Sequence, residues 1–393
     1  MKGQPLHILF LGTSTLEGMA SSRRIQNFAS QWTDESIVKV SNLIFCKPGD
    51  LTLHGQSGKQ GHIHFHHIGY QLKSPLSFRR FYSLGKSFLK AQKSEDRKQI
   101  LYVYDIPTLI RFPLIRYAKK LGYQVFFDIV EDHNLQKKPN GWKQWIKNIT
   151  QRWLVARIAR LGQGAIAISH YLENWMKELT KGTGFKVFHL PITVDLSYFE
   201  QRADPNNDIP VIFYGGSFAN KDGLPLLFKA IGQLKRRKTE VRLILTGKGS
   251  KRDMDAIFAA LEASNISDWV DYKGFLPNDE YYALLNRCDI FCMTRINSSF
   301  ANAGFPFKLG EFLATGKPVI ATDVGNVSQY LQHKKNALVI PPETVDQLAD
   351  AMEMLIKDPV LGKKIGKAGR STAEEHFDTK QKSEELRQIL SEL

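Results

Sequence analysis

Three cysteines in 393 residues, Cys46, Cys288 and Cys292, are too few and too irregularly spaced for a disulfide framework or a thiolate metal site. That suits a reducing compartment, and the expected location is the cytoplasm. No run reaches the ~18 to 20 consecutive apolar residues that a membrane span needs. The run from His7 to Gly12 lacks the length and the small-residue cleavage site of a secretory signal, so export is not expected. Low-complexity tracts are also missing. With 42% apolar and 24% charged residues, the composition is that of a globular chain able to build a large core.

Acidic residues are scarce in one half only. Residues 1–200 hold 28 Lys and Arg against 14 Asp and Glu, whereas residues 201–393 hold 26 against 25. The net charge of +15 therefore sits almost wholly in the first half, which predicts two units with different partners. The length agrees, since it suits two domains of roughly 150 to 200 residues better than one.

Short apolar runs rich in β-formers alternate with helical patterns throughout. HILFL, IVKV, HIHFH, ILYVY, QVFFD and AIAIS fill the first half, with helical spacing clearest at 20–32, 76–91, 109–121 and 142–159. FEQRADPNNDIP breaks the pattern and reads as a linker. The alternation restarts with VIFYGG, VRLILTG, WVDYKG, DIFCM, PVIAT and ALVIPP, and from Thr344 onward the chain is nearly all helical. This predicts an α/β chain with two doubly wound Rossmann-like domains facing a cleft, the arrangement in which ligands bind beyond the carboxyl ends of the strands.

Glycines cluster at those ends. Gly12 and Gly18 follow the first strand, Gly215 and Gly216 open the second domain, Gly247, Lys248 and Gly249 follow the next strand, and Gly274 precedes Phe275, Leu276 and Pro277. Such turns expose backbone N–H groups, although the G-x-G-x-x-G dinucleotide pattern is missing. Lys221 stands at the positive end of the helix predicted from Leu224, a position that favours an anion nearby. In FPFKLGEFLATG, a helix starting at Pro306 puts Lys308, Glu311 and Thr315 on one face while Leu309 and Phe312 pack inward. Glu311 can then accept hydrogen bonds from a ribose diol and Lys308 can reach a phosphate; the alternative is a solvated i,i+3 ion pair.

The order GGSFANKDG, LTGKGS, YKGFLP, RCDIFCM, AGFPFKLGEFLATGKPVIATDVG, NALVIPP resembles the nucleotide-sugar domain of GT-B glycosyltransferases, most closely the retaining family 4 enzymes. FLGTSTLEGMASSRRI, AIAISHYL and LPITVDLSYF are similar to parts of their acceptor domain. The resemblance implies an acceptor domain over 1–200, a linker over 201–209, a donor domain over 210–376 and a terminal helix, 377–393, packed on the first domain. It implies transfer of a sugar from a nucleotide-diphosphate donor with retention, without a bound metal or other cofactor, to a glycan or lipid-linked acceptor, as in assembly of bacterial cell-surface polysaccharide. Glu311 matches the second glutamate of the family's Glu-x7-Glu motif; the first falls on Ala303. Ser217 replaces an arginine many members carry, and Lys221 matches the family lysine, with Lys308, Lys248 and Arg295 as helpers. The implied donor set is Gly12, Gly216, Ser217, Lys221, Gly247, Lys248, Phe275, Leu276, Arg295, Phe305, Pro306, Lys308, Leu309 and Glu311. A catalytically degenerate nucleotide-sugar binder and an epimerase on the same fold are the alternatives.

On the acceptor side, FFDIVEDHN offers Asp128, Glu131, Asp132 and His133 near the reacting centre, with Glu131 and His133 favoured beside Lys221; solvated loop acids are the plain alternative. Alternate His62, His64 and His66 invite a metal, but one strand gives them no fixed supporting shell, so no metal site is expected. KKPNGWKQWIKNITQRWLVARIAR repeats Trp142, Trp145, Ile146, Ile149 and Trp153 at helical spacing beside Lys143, Lys147, Arg152, Arg157 and Arg160. KSPLSFRRFYSLGKSFLKAQK adds more of the same. A packed helix explains the stripe, and docking on an anionic membrane explains both stripe and charge. No nucleic-acid motif accompanies it, so nucleic acid is not an expected partner.

Overall fold

The apolar runs become strands because a strand covered by helices on both faces needs apolar side chains at odd and even positions alike. The computed structural model describes residues 4–13, 20–46, 53–69, 74–132, 135, 142–200 and 207–393. It divides into two compact units, Met1–Pro191 with Thr379–Leu393, and Ile192–Asp378.

The first unit holds β1 (Leu6–Thr13), β2 (Val38–Cys46), β3 (Ser57–Gln60), β4 (Ile63–Gly69), β5 (Lys98–Tyr104), β6 (Gln124–Ile129), β7 (Gly164–Ala167) and β8 (Lys186–His189) in the order β3-β4-β2-β1-β5-β6-β7-β8. Neighbours are parallel except β3, which pairs antiparallel with β4. In the central register Ile8 lies beside Val40 and Ile100. Phe10, Phe28 and Trp32 stack beneath this sheet. Leu386 and Leu390 of the last helix, Thr379–Ser391, enter the same core. Trp32 Nε1 donates to the Ser383 carbonyl at 3.2 Å, which fixes that helix to the sheet layer. β3 and β8 escape the sequence pattern: β3 is exposed at every position, and β8 is exposed or half-buried along its length.

The second unit holds β9 (Val211–Ser217), β10 (Arg242–Lys248), β11 (Val270–Tyr272), β12 (Ile290–Met293), β13 (Val319–Thr322) and β14 (Leu338–Ile340). Their order is β11-β10-β9-β12-β13-β14, with every neighbour parallel. Each matches an apolar run of the sequence. The boundary between units falls earlier than residue 200, because the apolar stretch after Pro191 packs on the second unit. Ile192 and Val194 press on Gly310, and Val194 N donates to the Phe377 carbonyl at 2.7 Å. Of the expected linker, 201–206 lies outside the described residues.

Two histidines in the first unit are held neutral. His7 in β1 is fully buried, 2.9 Å from both Gln99 Oε1 and Ser41 Oγ, and burial pushes it from 6.5 to about 4. Burial, with the neighbouring His170 ring stacked 3.9 Å away, brings His189 to about 4 as well. Between pH 6.5 and 4 the unfolded chain binds protons that the folded unit refuses, so stability is intact above this window and falls as pH drops through it. At pH 5 the loss should be about 2 kcal/mol for His7. Urea unfolding at pH 7.5 and pH 5 checks this: the midpoint should drop in wild type and drop less in His7→Gln.

Candidate functional site

In the second sheet the chain moves from β9 outward through β10 to β11, then returns to the other side of β9 as β12. The topological switch therefore lies between β9 and β12, where an open parallel sheet leaves a crevice at its carboxyl edge. Gly216 and Ser217 end β9, and Thr294 and Arg295 come directly after β12.

The short turn Asn220–Asp222 is fastened to the β12 side. Thr294 Oγ1 donates to the Asp222 carbonyl at 2.9 Å, and Ile296 N donates to the Lys221 carbonyl at 3.1 Å. Gly223, at φ +67°, closes this turn because a Cβ there would lie 2.0 Å from the Thr294 carbonyl oxygen. The result places the Asp222 carboxylate, 2% exposed, among charged and polar groups. Ser217 Oγ donates to it at 2.6 Å, Lys308 Nζ lies 3.5 Å away, and Arg295 Nε lies 3.9 Å away. Burial alone raises a carboxyl, but here the two cations and the serine outweigh it and hold Asp222 below its usual range.

Lys308 comes from the helix Phe307–Ala314 and donates to Tyr214 Oη at 2.8 Å. Its ammonium rests against Gly216, where a Cβ would stand 2.9 Å from Nζ. Burial lowers it to about 8 despite the opposing pull of Asp222. The Arg295 Nε is buried and has no hydrogen-bond partner among the described residues. Two cations thus share one carboxylate, and the cluster carries a surplus positive charge in a water-poor setting.

The expected site residues divide accordingly. Lys308, Ser217, Gly216 and Arg295 meet at this cluster. Lys221 is half-buried beside it in sequence, with Nζ 4.6 Å from the centre of the Phe300 ring. Lys248 instead lies 4.4 Å over one face of the exposed Phe275 ring. Gly247 uses its N–H on the Gly274 carbonyl at 2.7 Å and its carbonyl on Tyr272 Oη at 2.9 Å, which removes both from ligand binding. Leu276 is half-buried. Phe305 packs on Tyr330 and Phe377, and Leu309 is fully buried, so both side chains belong to the core. Pro306 precedes the helix as its N-cap instead of beginning it.

Glu311 also departs from expectation. It is 2% exposed and turned into its own unit, where Tyr281 Oη donates to Oε2 at 3.0 Å and Tyr282 Oη to Oε1 at 3.1 Å. Two phenols supply the donors expected from a ribose diol. No i,i+3 pair forms either, since Lys308 turns to Asp222 and Glu311 to the tyrosines. Asp222, Tyr214, Tyr281 and Tyr282 were not legible as partners. Asp222 in the NKDG turn offered the only local signal, a carboxylate one residue after the expected lysine.

In the first unit Gly12, at φ +72°, is the penultimate residue of β1, and Arg111 Nη2 donates to its carbonyl at 2.9 Å. Asp128 is fully buried, with Oδ2 accepting from Arg24 Nε and Tyr102 Oη, both at 2.7 Å, which makes it an internal anchor and not an acceptor contact. Glu131 is half-buried, and Gly18 and His133 lie outside the described residues. His62, His64 and His66 have separate partners, the Ala29 carbonyl, Glu35 and Ser57. Among the described residues no helix is long and apolar enough to cross a membrane.

Asp222→Asn should leave Lys308 and Arg295 uncompensated and destabilise the second unit by about 3 to 5 kcal/mol in urea unfolding. Adding Lys308→Met should recover a large part of that loss; two losses that simply sum would disprove the coupling.

Known proteins resemble part of this chain in sequence and the whole of it in fold. Residues 198–372 match the family described as Glycosyl transferases group 1. A glycosyltransferase of Bacillus subtilis, YqgM, itself uncharacterized, is 26% identical over 202 residues, 51% of this chain and 54% of that protein. A Mycobacterium tuberculosis protein named GDP-mannose-dependent alpha-(1-6)-phosphatidylinositol monomannoside mannosyltransferase is 27% identical over 50% of this chain and 54% of its own length. The matches thus span about half the length of these curated relatives. Among solved structures, Anabaena HepE in complex with UDP-glucose superposes with a TM-score of 0.76 at 17% identity, covering 99% of this chain and 100% of that one. The chain therefore has the two-domain fold of the GT-B enzymes, and its residues 198–372 are similar to the glycosyl transferases group 1 family.

Proposed function

We propose that the protein is a glycosyltransferase that moves a sugar, with retention and without a metal cofactor, from a nucleotide-diphosphate donor to a glycan or lipid-linked acceptor. The observation that carries this reading is the surplus positive charge of Lys308 and Arg295 around Asp222 at the β9/β12 switch point. A buried, unbalanced cation is costly, and an anion beside it removes the cost. A diphosphate is such an anion, and nucleotide-sugar binding by HepE on the same fold supports the choice.

The chemistry rests on charge. When the glycosidic bond to the β-phosphate breaks, negative charge grows on the departing diphosphate. Fixed cations aimed there lower the barrier without a general acid. In this reading Lys308 stands in for the arginine that Ser217 replaces, Asp222 holds Lys308 in position, and Lys221 leaves its Phe300 ring to meet the phosphate. Glu131 and His133 are assigned to the acceptor side. Synthesis of cell-surface polysaccharide is the setting that fits a lipid-linked or glycan acceptor.

Two measurements test the reading. A bound diphosphate keeps Lys308 protonated, whereas free Lys308 loses its proton above about pH 8. Affinity for UDP or GDP by calorimetry should therefore be level below pH 8 and weaken up to about tenfold per unit above it. Lys308→Met should bind weakly with no such slope; a flat wild-type profile to pH 9.5 would refute the assignment. In Lys221→Ala, turnover of labelled donor should fall about 100-fold or more while donor affinity changes far less. Binding without transfer or hydrolysis in the wild type would favour the degenerate binder, and sugar conversion without acceptor the epimerase.

A further inference from the structure

The helix Trp142–Val155 is laid on the first unit with its apolar stripe outward. Trp142 is 69% exposed and Trp145 56%, and Ile146, Ile149 and Trp153 are exposed on the same face. The inward face instead carries Gln151, Leu154 and Val155, all buried. A helix stabilised only by its own unit would present the tryptophans inward.

The stripe continues beyond this helix. Trp153 meets the edge of Phe112 with ring centres 6.1 Å apart, and Phe112 comes three residues after the exposed Leu109. Tyr82 Oη donates to the Ile110 carbonyl at 2.7 Å and contacts Phe78 edge to face. Phe78 and Leu76, both exposed, sit in the first turn of the helix Pro75–Ala91. Three separate segments thus contribute to one apolar surface.

Charge on these segments has one sign. Residues 75–91, 109–121 and 142–160 contain 13 Lys and Arg and no Asp or Glu. Lys147, Arg152, Arg79 and Arg80 are exposed, and Arg157 lies 4.2 Å over the Trp153 ring. Cations bordering exposed tryptophans and aliphatic side chains match a bilayer interface, where indole rings sit at headgroup depth and Lys and Arg meet anionic phosphates. A single-stranded nucleic acid would use the rings and cations but has no use for Leu76, Leu109, Ile146 and Ile149.

We propose that this face of the first unit docks on an anionic bilayer surface, with the helix Trp142–Val155 lying in the interface plane. The inference uses nothing from the donor site, so its failure leaves the transfer reaction standing. The test is flotation of the purified full chain with phosphatidylcholine vesicles and with vesicles that also carry phosphatidylglycerol. Recovery with the anionic vesicles should exceed that with neutral ones about tenfold at low salt and fall as salt is raised. Trp142→Ala with Trp145→Ala should cut it about tenfold with an unchanged melting temperature. Lys147→Glu with Arg152→Glu, a second pair at exposed positions, should do the same. Absent flotation at low salt, recovery indifferent to both pairs, or displacement by a single-stranded oligonucleotide that binds more tightly than the vesicles would overturn it.

Discussion

The contact on which the second unit's charged cluster depends is that between Asp222 and Lys308, 3.5 Å apart at the edge of an apolar core. Neither charge would be tolerated alone at that depth. Asp222 requires the close turn that Gly223 permits, and Lys308 requires the space that Gly216 leaves open. Arg295 then adds a second positive charge without a second carboxylate. Packing alone therefore leaves this cluster with more positive than negative charge among the described residues.

Cations are used differently in the two units. In the second, Lys308 and Arg295 are turned inward against Asp222, and Lys308 also donates to Tyr214. In the first, Arg24 is buried against Asp128, while Lys147 and Arg152 stand exposed on the helix that carries the exposed Trp142, Trp145, Ile146 and Ile149. In the two proposals above, the same residue type serves a small anion in one unit and an extended surface in the other. The difference lies in how much water each ammonium or guanidinium keeps.

Much of the fold was legible because a two-sided parallel strand must be apolar throughout. All six strands of the second sheet coincide with apolar runs, and so do six of the eight in the first. β3 and β8 were not legible, since edge strands with exposed faces have no apolar signature. Of the site, Lys308, Arg295, Gly216 and Ser217 were named from their strand-end positions and from resemblance. Their common partner, Asp222, was not, because a single Asp in a turn has the same sequence signature whether solvated or buried.

Glu311 shows where that limit lies. Its place on the helix Phe307–Ala314 was readable from spacing, but a helix offers several directions and spacing does not say what waits in each. Tyr281 and Tyr282, some thirty residues earlier, decided that it would face inward. The stripe of Trp142, Trp145 and Trp153 makes the same point in reverse, for its periodicity fits a packed helix and a surface one equally well. Sequence alone determined the alternation of strands and helices, the glycine-bearing strand ends and the one-sided distribution of basic charge, since these are local or additive properties of the chain. Only the tertiary structure decided which charges became partners and which faces met water, because burial is a property of the neighbours that folding brings together.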